Sequence, residues 1–242
     1  MKYPAGPAPA MPERFVGRAV VEQAKCSPGC QACAEACPTD AIELAATAPR
    51  VRLDLGKCLF CRACQQACPS GAVSFSNDYQ LAAARREDLI VTDRAEQVAK
   101  ALNQQAHRLF GRSLKLRQVS AGGCNACEAD VNVLGTLAWD IGRFGIQFVA
   151  SPRHADGLLI TGPVPENMRL ALQKTYEALP TPKIVIAVGS CAIAGGPYAG
   201  HPEVHNGAAA VVPVDLFVPG CPPHPLTILD ALLRFLGRVD EP

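Results

Sequence analysis

The chain has 242 residues, 49% of them hydrophobic, with 20 Gly and 21 Pro, a size and composition that suit one medium domain and one small one. Its 23 basic and 22 acidic residues leave a formal net charge of +1, which argues against a nucleic acid or a strongly charged membrane surface as partner. The longest apolar stretches, Ile184 to Val188 and the Pro-interrupted Val211 to Val218, fall short of the roughly 20 residues that cross a bilayer.

Residues 1–13 form a Pro/Ala-rich run without periodicity, read as an extended or mobile arm that reaches to residue 19. No basic start followed by an apolar run occurs in residues 1–25, so neither a secretory signal nor an oxidising destination is expected. Residues 20–76 contain an internal duplication. Cys26, Cys30, Cys33 and Cys37 precede Pro38, and Cys58, Cys61, Cys64 and Cys68 precede Pro69, the C-x2-C-x2-C-x3-C-P pattern of bacterial two-cluster ferredoxins. Each run leads into a short β-type segment, Ala41-Ile42-Glu43-Leu44 and Ala72-Val73-Ser74-Phe75.

In ferredoxins of this type the last cysteine of each run serves the other run's cluster. The expected [4Fe–4S] ligand sets are Cys26, Cys30, Cys33 with Cys68, and Cys58, Cys61, Cys64 with Cys37. Cys26 and Cys30 are separated by three residues instead of two, and Ser27-Pro28-Gly29 is turn chemistry that can loop one residue out. Disulfides are the first alternative, but cysteines two or three residues apart meet S–S geometry poorly. Zinc is the second. A structural zinc site takes two ligands from each of two knuckles, whereas each segment here supplies four and ends in proline.

Residues 77–113 read as a helical linker: Asp93 and Glu96 resemble a capping box, and Ala95, Val98, Ala99, Leu102, Ala106 and Leu109 recur at helical spacing before Gly111. From residue 114 to 242 strand and helix signals alternate, which predicts an α/β domain with a mostly parallel sheet. Strands are expected near Leu114–Val119, Ile146–Val149, Leu158–Thr161, Ile184–Val188 and Val214–Val218, and helices near Ala129–Gly142, Glu166–Leu179 and Pro225–Leu236. The four remaining cysteines, Cys124, Cys127, Cys191 and Cys221, follow three of these strands. Open α/β sheets build their sites at such carboxyl ends. With this third set, all twelve cysteines are assigned and three [4Fe–4S] clusters are expected.

The ordered segments Gly122-Gly123-Cys124-Asn125-Ala126-Cys127-Glu128, Arg143-Phe144-Gly145-Ile146, Ser151-Pro152-Arg153-His154-Ala155-Asp156, Gly189-Ser190-Cys191-Ala192 with Gly195-Gly196, and Pro219-Gly220-Cys221-Pro222-Pro223 carry a resemblance over about residues 112–237. They resemble the small electron-transfer subunit of membrane-bound [NiFe]-hydrogenases of the formate hydrogenlyase type, a family that includes the 20-kDa B-type subunit of complex I. The resemblance implies a flavodoxin-like domain whose cluster faces a large catalytic subunit. It also implies membrane subunits as indirect partners, a redox donor or acceptor protein, and a cytoplasmic place peripheral to the inner membrane. Residues 20–76 resemble a polyferredoxin component, here fused in front as a small α+β ferredoxin-like domain. In complex I the first ligands look like adjacent cysteines, so the C-x2-C pair favours the hydrogenase branch. The alternatives are an NADH-quinone oxidoreductase B-type subunit lining a quinone site, a stand-alone polyferredoxin carrier, and a zinc-held scaffold.

No complete active site is expected on this chain, and no nickel site, since no cysteine is left over. Glu128 and Asp130 flank the third set as candidates for proton transfer, although acidic residues in a first helical turn are also favoured by its dipole. His201 and His205 flank a Pro-containing loop segment that reads as solvated and not as a metal site. Arg153 and His154 read equally as structural or as neighbours of the third cysteine set. Trp139 reads as core or interface, and His224 takes no role.

Overall fold

A computed structural model of the protein describes residues 3–47, 49–92, 110 and 113–239. Its larger part is a five-stranded parallel sheet made of β6 (Leu114–Ser120), β7 (Ile146–Phe148), β8 (Gly157–Thr161), β9 (Ile184–Val188) and β10 (Leu216–Val218). The spatial order is β7-β6-β8-β9-β10, with every neighbouring pair parallel. This is the flavodoxin-like 2-1-3-4-5 order, in which the chain reverses direction beside the first strand and opens a crevice there. All residues of β8 and β9 are buried, as expected for central parallel strands covered on both faces.

The residues before the sheet form two small antiparallel sheets. β1 (Ala19–Val21) pairs with β4 (Val73–Phe75), while β2 (Ile42–Leu44), β3 (Val51–Asp54) and β5 (Ile90–Val91) form the other. The two segments that follow the cysteine runs are thus both strands, each paired with a partner of its own. Two short helices, α1 (Ala32–Glu35) and α2 (Ala63–Ala67), carry the middle of each run. The α/β sheet with a small N-terminal ferredoxin-like part agrees with the fold class read from the sequence.

The helices of the larger part differ from expectation at their ends. α3 spans Ala126–Val133, α4 Glu166–Glu177 and α6 Pro225–Phe235. α3 begins three residues before the expected Ala129, because Asn125 adopts a left-handed conformation (φ 72°) that turns the chain straight into the helix. It stops before Gly135 in a series of turn bonds from Leu134 to Trp139. α5 (Ser190–Ala194) has only five residues and was not visible as a helical pattern. The linker helix expected between Asp93 and Leu109 lies outside the described residues.

The N-terminal arm departs most from its reading. Tyr3 is 5% exposed, and Ala8 and Met11 pack on the apolar cluster that includes α6. Every residue of α6 is buried. A helix buried on all sides needs cover on all sides, and the arm supplies part of it. Tyr3 Oη donates to Asp230, whose carboxylate also accepts from Arg234 Nε at 3.0 Å, and Arg143 Nη2 donates to the Tyr3 carbonyl at 2.7 Å.

The two parts share one core. Leu53, Leu55, Val73 and Leu89 lie in the same buried cluster as Ala192, Ile193 and Phe217. Ala83 pairs with Phe217 through bonds of 3.0 and 2.9 Å, covering the free edge of β10.

Candidate metal centres

Proximity sorts seven of the eight N-terminal thiols across the two runs. Cys33, raised in pKa first by burial, next feels the charges of Cys68 and then Cys26. Cys58 is pushed up to about 12, by burial first and then by Cys64, Cys37 and Cys61. Cys64 is pushed up to about 11 by burial, Cys37, Cys61 and Cys33. A hollow is lined by Cys37, Cys58, Cys61 and Cys64, with Ile42, Leu53 and Phe75 among its walls. One group therefore draws Cys37 out of the first run, and the other draws Cys68 out of the second.

Backbone donors aim at these sulfurs. Ala41 N–H points to Cys37 Sγ at 3.3 Å, Phe60 N–H to Cys58 Sγ at 3.3 Å and Ala72 N–H to Cys68 Sγ at 3.2 Å. Burial raises the Cys68 thiol, but donors from Val73, Ser70 and Ala72 outweigh it and hold the pKa below its ordinary value. Phe60 (φ 55°) and Arg62 (φ 63°) both adopt left-handed backbone around Cys61. Side-chain-bearing residues do so rarely, and such strain collects at functional loops.

The third group converges at the carboxyl end of the sheet. Cys124 follows β6 at the strand-order reversal, Cys127 lies in the first turn of α3, Cys191 in α5 after β9, and Cys221 after β10. Cys127 is raised by burial and then by Cys191, Glu128, Cys221 and Cys124; Cys191 is pushed up to about 11 by burial, Cys221, Cys124 and Glu128. Two glycines leave room for the sulfurs. A Cβ on Gly189 (φ +90°) would stand 2.5 Å from Cys127 Sγ, and one on Gly196 (φ +56°) 2.6 Å from Cys191 Sγ.

This group adjoins the one around Cys58. Cys221, raised first by partial burial, feels Cys124 and then Cys61. Ser190 Oγ donates to the Cys58 carbonyl at 2.6 Å.

The thiols fit a cluster better than the simpler alternatives. All twelve cysteines are free, so no disulfide uses them. Among the described residues no three His, Cys, Asp or Glu side chains close around a point that one ion could occupy. The donor set itself, four thiols to a group from runs that end in Pro38 and Pro69 or from three strand ends, suits an iron–sulfide body held from its corners. Burial raises these thiols first and their mutual repulsion adds to it; a metal centre would offset that repulsion.

Glu128 is 6% exposed. Burial pushes its carboxyl up, but the Ser120 and Thr161 hydroxyls, each donating to Oε1 at 2.6 Å, bring it below the usual glutamate range. Through Oε1 the side chain joins α3 to β6 and β8, while Oε2 is buried without a hydrogen-bond partner. Asp130 is raised by burial and lines a cleft of about 360 Å³ beside Cys221, Phe15 and His224.

The other singled-out residues stand apart from the sulfurs. His205 Nε2 pairs with Glu166 at 2.5 Å, and His201 Nδ1 accepts from the Glu203 N–H at 3.2 Å. Arg153 and His154 are exposed on a turn whose neighbour Asp156 bonds to Lys115, beside the start of β6 and away from Cys124. The ring of Trp139 packs edge-on against His224, 5.8 Å between centroids. Ser120, Thr161 and Ser190 were missed by sequence reasoning. Only Ser190 carried a signal, its place beside Cys191.

Residues 124–235 match the family described as NADH ubiquinone oxidoreductase, 20 kDa subunit, and residues 25–72 match the 4Fe-4S dicluster domain. The probable membrane-bound hydrogenase subunit mbhJ of Pyrococcus furiosus is 40% identical over 135 residues, covering 56% of this chain and 81% of the relative. The B-type subunit of the NADH-quinone oxidoreductase of Heliobacterium modesticaldum is 41% identical over 123 residues, or 50% of this chain and 70% of the relative. Formate hydrogenlyase subunit 7 of Escherichia coli is 40% identical over 130 residues, or 54% of this chain and 51% of the relative.

Proposed function

The chain belongs to the family of the 20 kDa subunit of NADH ubiquinone oxidoreductase, joined to a 4Fe-4S dicluster segment, and from that premise we propose that it relays electrons through three [4Fe–4S] clusters in a membrane-associated [NiFe]-hydrogenase-like complex of the formate hydrogenlyase type. Its outer site comprises Cys26, Cys30, Cys33 and Cys68, its middle site Cys37, Cys58, Cys61 and Cys64, and its terminal site Cys124, Cys127, Cys191 and Cys221. Residues 20–76 act as the two-cluster unit and residues 114–242 as the terminal one. The observation that carries the reading is the grouping of the thiols, with Cys37 and Cys68 exchanged between runs and Cys61 beside Cys221.

One-electron carriage is what the clusters supply when bound. The chain's own residues hold and space them. The N–H groups of Ala41, Phe60 and Ala72 favour negative charge on the sulfurs they face. The shared core keeps the middle and terminal sites together. Cys124 and Cys221 are exposed, which supports contact of the terminal site with a large catalytic subunit. Among the described residues no helix is long and apolar enough to cross a membrane, and we assign attachment to the membrane to partner subunits.

Anaerobic co-purification with partners, with iron, sulfide and nickel counted, tests the proposal. About twelve irons per chain are expected, and about eight would remove one site. Nickel in a co-purifying large subunit selects the hydrogenase-like complex. The likeness to the B-type subunit of NADH-quinone oxidoreductase keeps a quinone-reducing complex as the second reading, which a quinone-dependent change in the terminal cluster's spectrum would select.

A further inference from the structure

Between the middle and terminal sites stands one buried hydroxyl. Ser190 is 1% exposed, lies next to Cys191 and follows Gly189, the residue against Cys127. Its Oγ is 2.6 Å from the Cys58 carbonyl and 3.1 Å from the Gly220 carbonyl. The Gly220 carbonyl already accepts from the Ser190 N–H at 2.9 Å. A hydroxyl has a single proton to donate, so the shorter contact, to Cys58, takes it.

Ser190, the residue before Cys191, thus holds the backbone of a middle-site cysteine through its hydroxyl and Gly220, the residue before Cys221, through its N–H. The two tied segments are 132 residues apart in the chain. A buried carbonyl deprived of its donor shifts toward another partner. At this position the shift would change the spacing of the two cages.

We propose that the Ser190 hydroxyl is a positioning group that sets the separation of the middle and terminal clusters, and with it electron passage between them. The inference rests on the three-site reading above. Side-chain volume alone does not serve the purpose: what holds Cys58 is a directed hydrogen bond, so a residue without a donor cannot replace it.

The test uses the full chain loaded with iron and sulfide, as wild type, Ser190→Ala and Ser190→Thr. Pulsed electron paramagnetic resonance of the reduced protein reads the magnetic coupling between the two clusters, and iron analysis reads their occupancy. Ser190→Ala is expected to keep the wild-type iron content while the coupling weakens and its distribution broadens. Ser190→Thr, which keeps the hydroxyl, is expected to restore the coupling. Unchanged coupling in fully loaded Ser190→Ala overturns the proposal. Should Ser190→Ala lose iron, the threonine variant decides: coupling as weak and broad as that of a disordered pair overturns it, and wild-type coupling supports it. A wild-type chain that never holds the third cluster sinks the three-site reading instead, which separates the two failures.

Discussion

At Gly189 the requirement for glycine has two independent causes. Its φ of +90° is a region side-chain-bearing residues avoid, and a Cβ there would meet Cys127 Sγ at 2.5 Å. Gly189→Ala is therefore expected to displace a sulfur of the terminal site and, through backbone strain, to cost about 1–3 kcal/mol. Iron analysis of the variant should show a loss of about four irons per chain, with the other two clusters spectroscopically intact; full iron would separate Gly189 from that site. Glu128 shows how a residue-scale reading shifts once neighbours are known. Its place beside Cys127 suggested proton transfer; the fold adds two hydroxyl donors, from β6 and β8, to its Oε1. Neither donor stands near it in sequence.

Among the elements, the arm and α6 explain one another. The sequence of α6, Pro-Leu-Thr-Ile-Leu-Asp-Ala-Leu-Leu-Arg-Phe, is apolar on more than one face and carries an Asp230–Arg234 pair that is itself buried. Tyr3 covers that pair and donates to it. Burial first, then Asp230, raises the Tyr3 pKa above its ordinary 10.0. A raised folded-state value means that the stabilisation from docking Tyr3 is fully present below about pH 10 and is lost as pH rises above it. Limited proteolysis of the loaded chain should thus show arm cleavage accelerating on the alkaline side of pH 10. Tyr3→Phe removes a donor from a buried carboxylate, an expected cost of about 1–3 kcal/mol. Its arm should be cleaved faster already at neutral pH, with the alkaline step abolished; an alkaline step that survives in the variant would assign it to another group.

On the scale of the whole molecule the two parts differ in how they are held together. Among the described residues around the first eight cysteines, no strand exceeds four residues and no helix five. So little regular structure contributes few side chains of its own to the core it shares with the sheet, and metal–sulfur bonds are expected to supply much of its folding energy. The parallel sheet instead rests on buried Leu, Ile and Val side chains of β6, β8 and β9 and on α6. Stripping iron with a chelator under reducing conditions should collapse hydrogen-exchange protection in β1 to β4 while β8 and β9 retain theirs. Equal loss in both parts would mean that the sheet, too, depends on metal, a result the shared core around Ile193 and Phe217 would then have to explain.

The sequence by itself determined the chemistry and the order of elements, because both are local. Ligand spacing within a cysteine run depends on a few bonds of chain, and alternating apolar runs with turn residues marked the five strands that the sheet contains. The expected exchange of Cys37 and Cys68 between the runs likewise comes from a known repeat. Tertiary structure alone decided that the cysteines around Cys58 adjoin those around Cys221, that the Pro/Ala arm is docked at Tyr3, and that Ser190 reaches Cys58. These contacts join residues 132 and 227 positions apart. Their distances are set by how the two apolar clusters pack distant segments together, a property that no local spacing encodes.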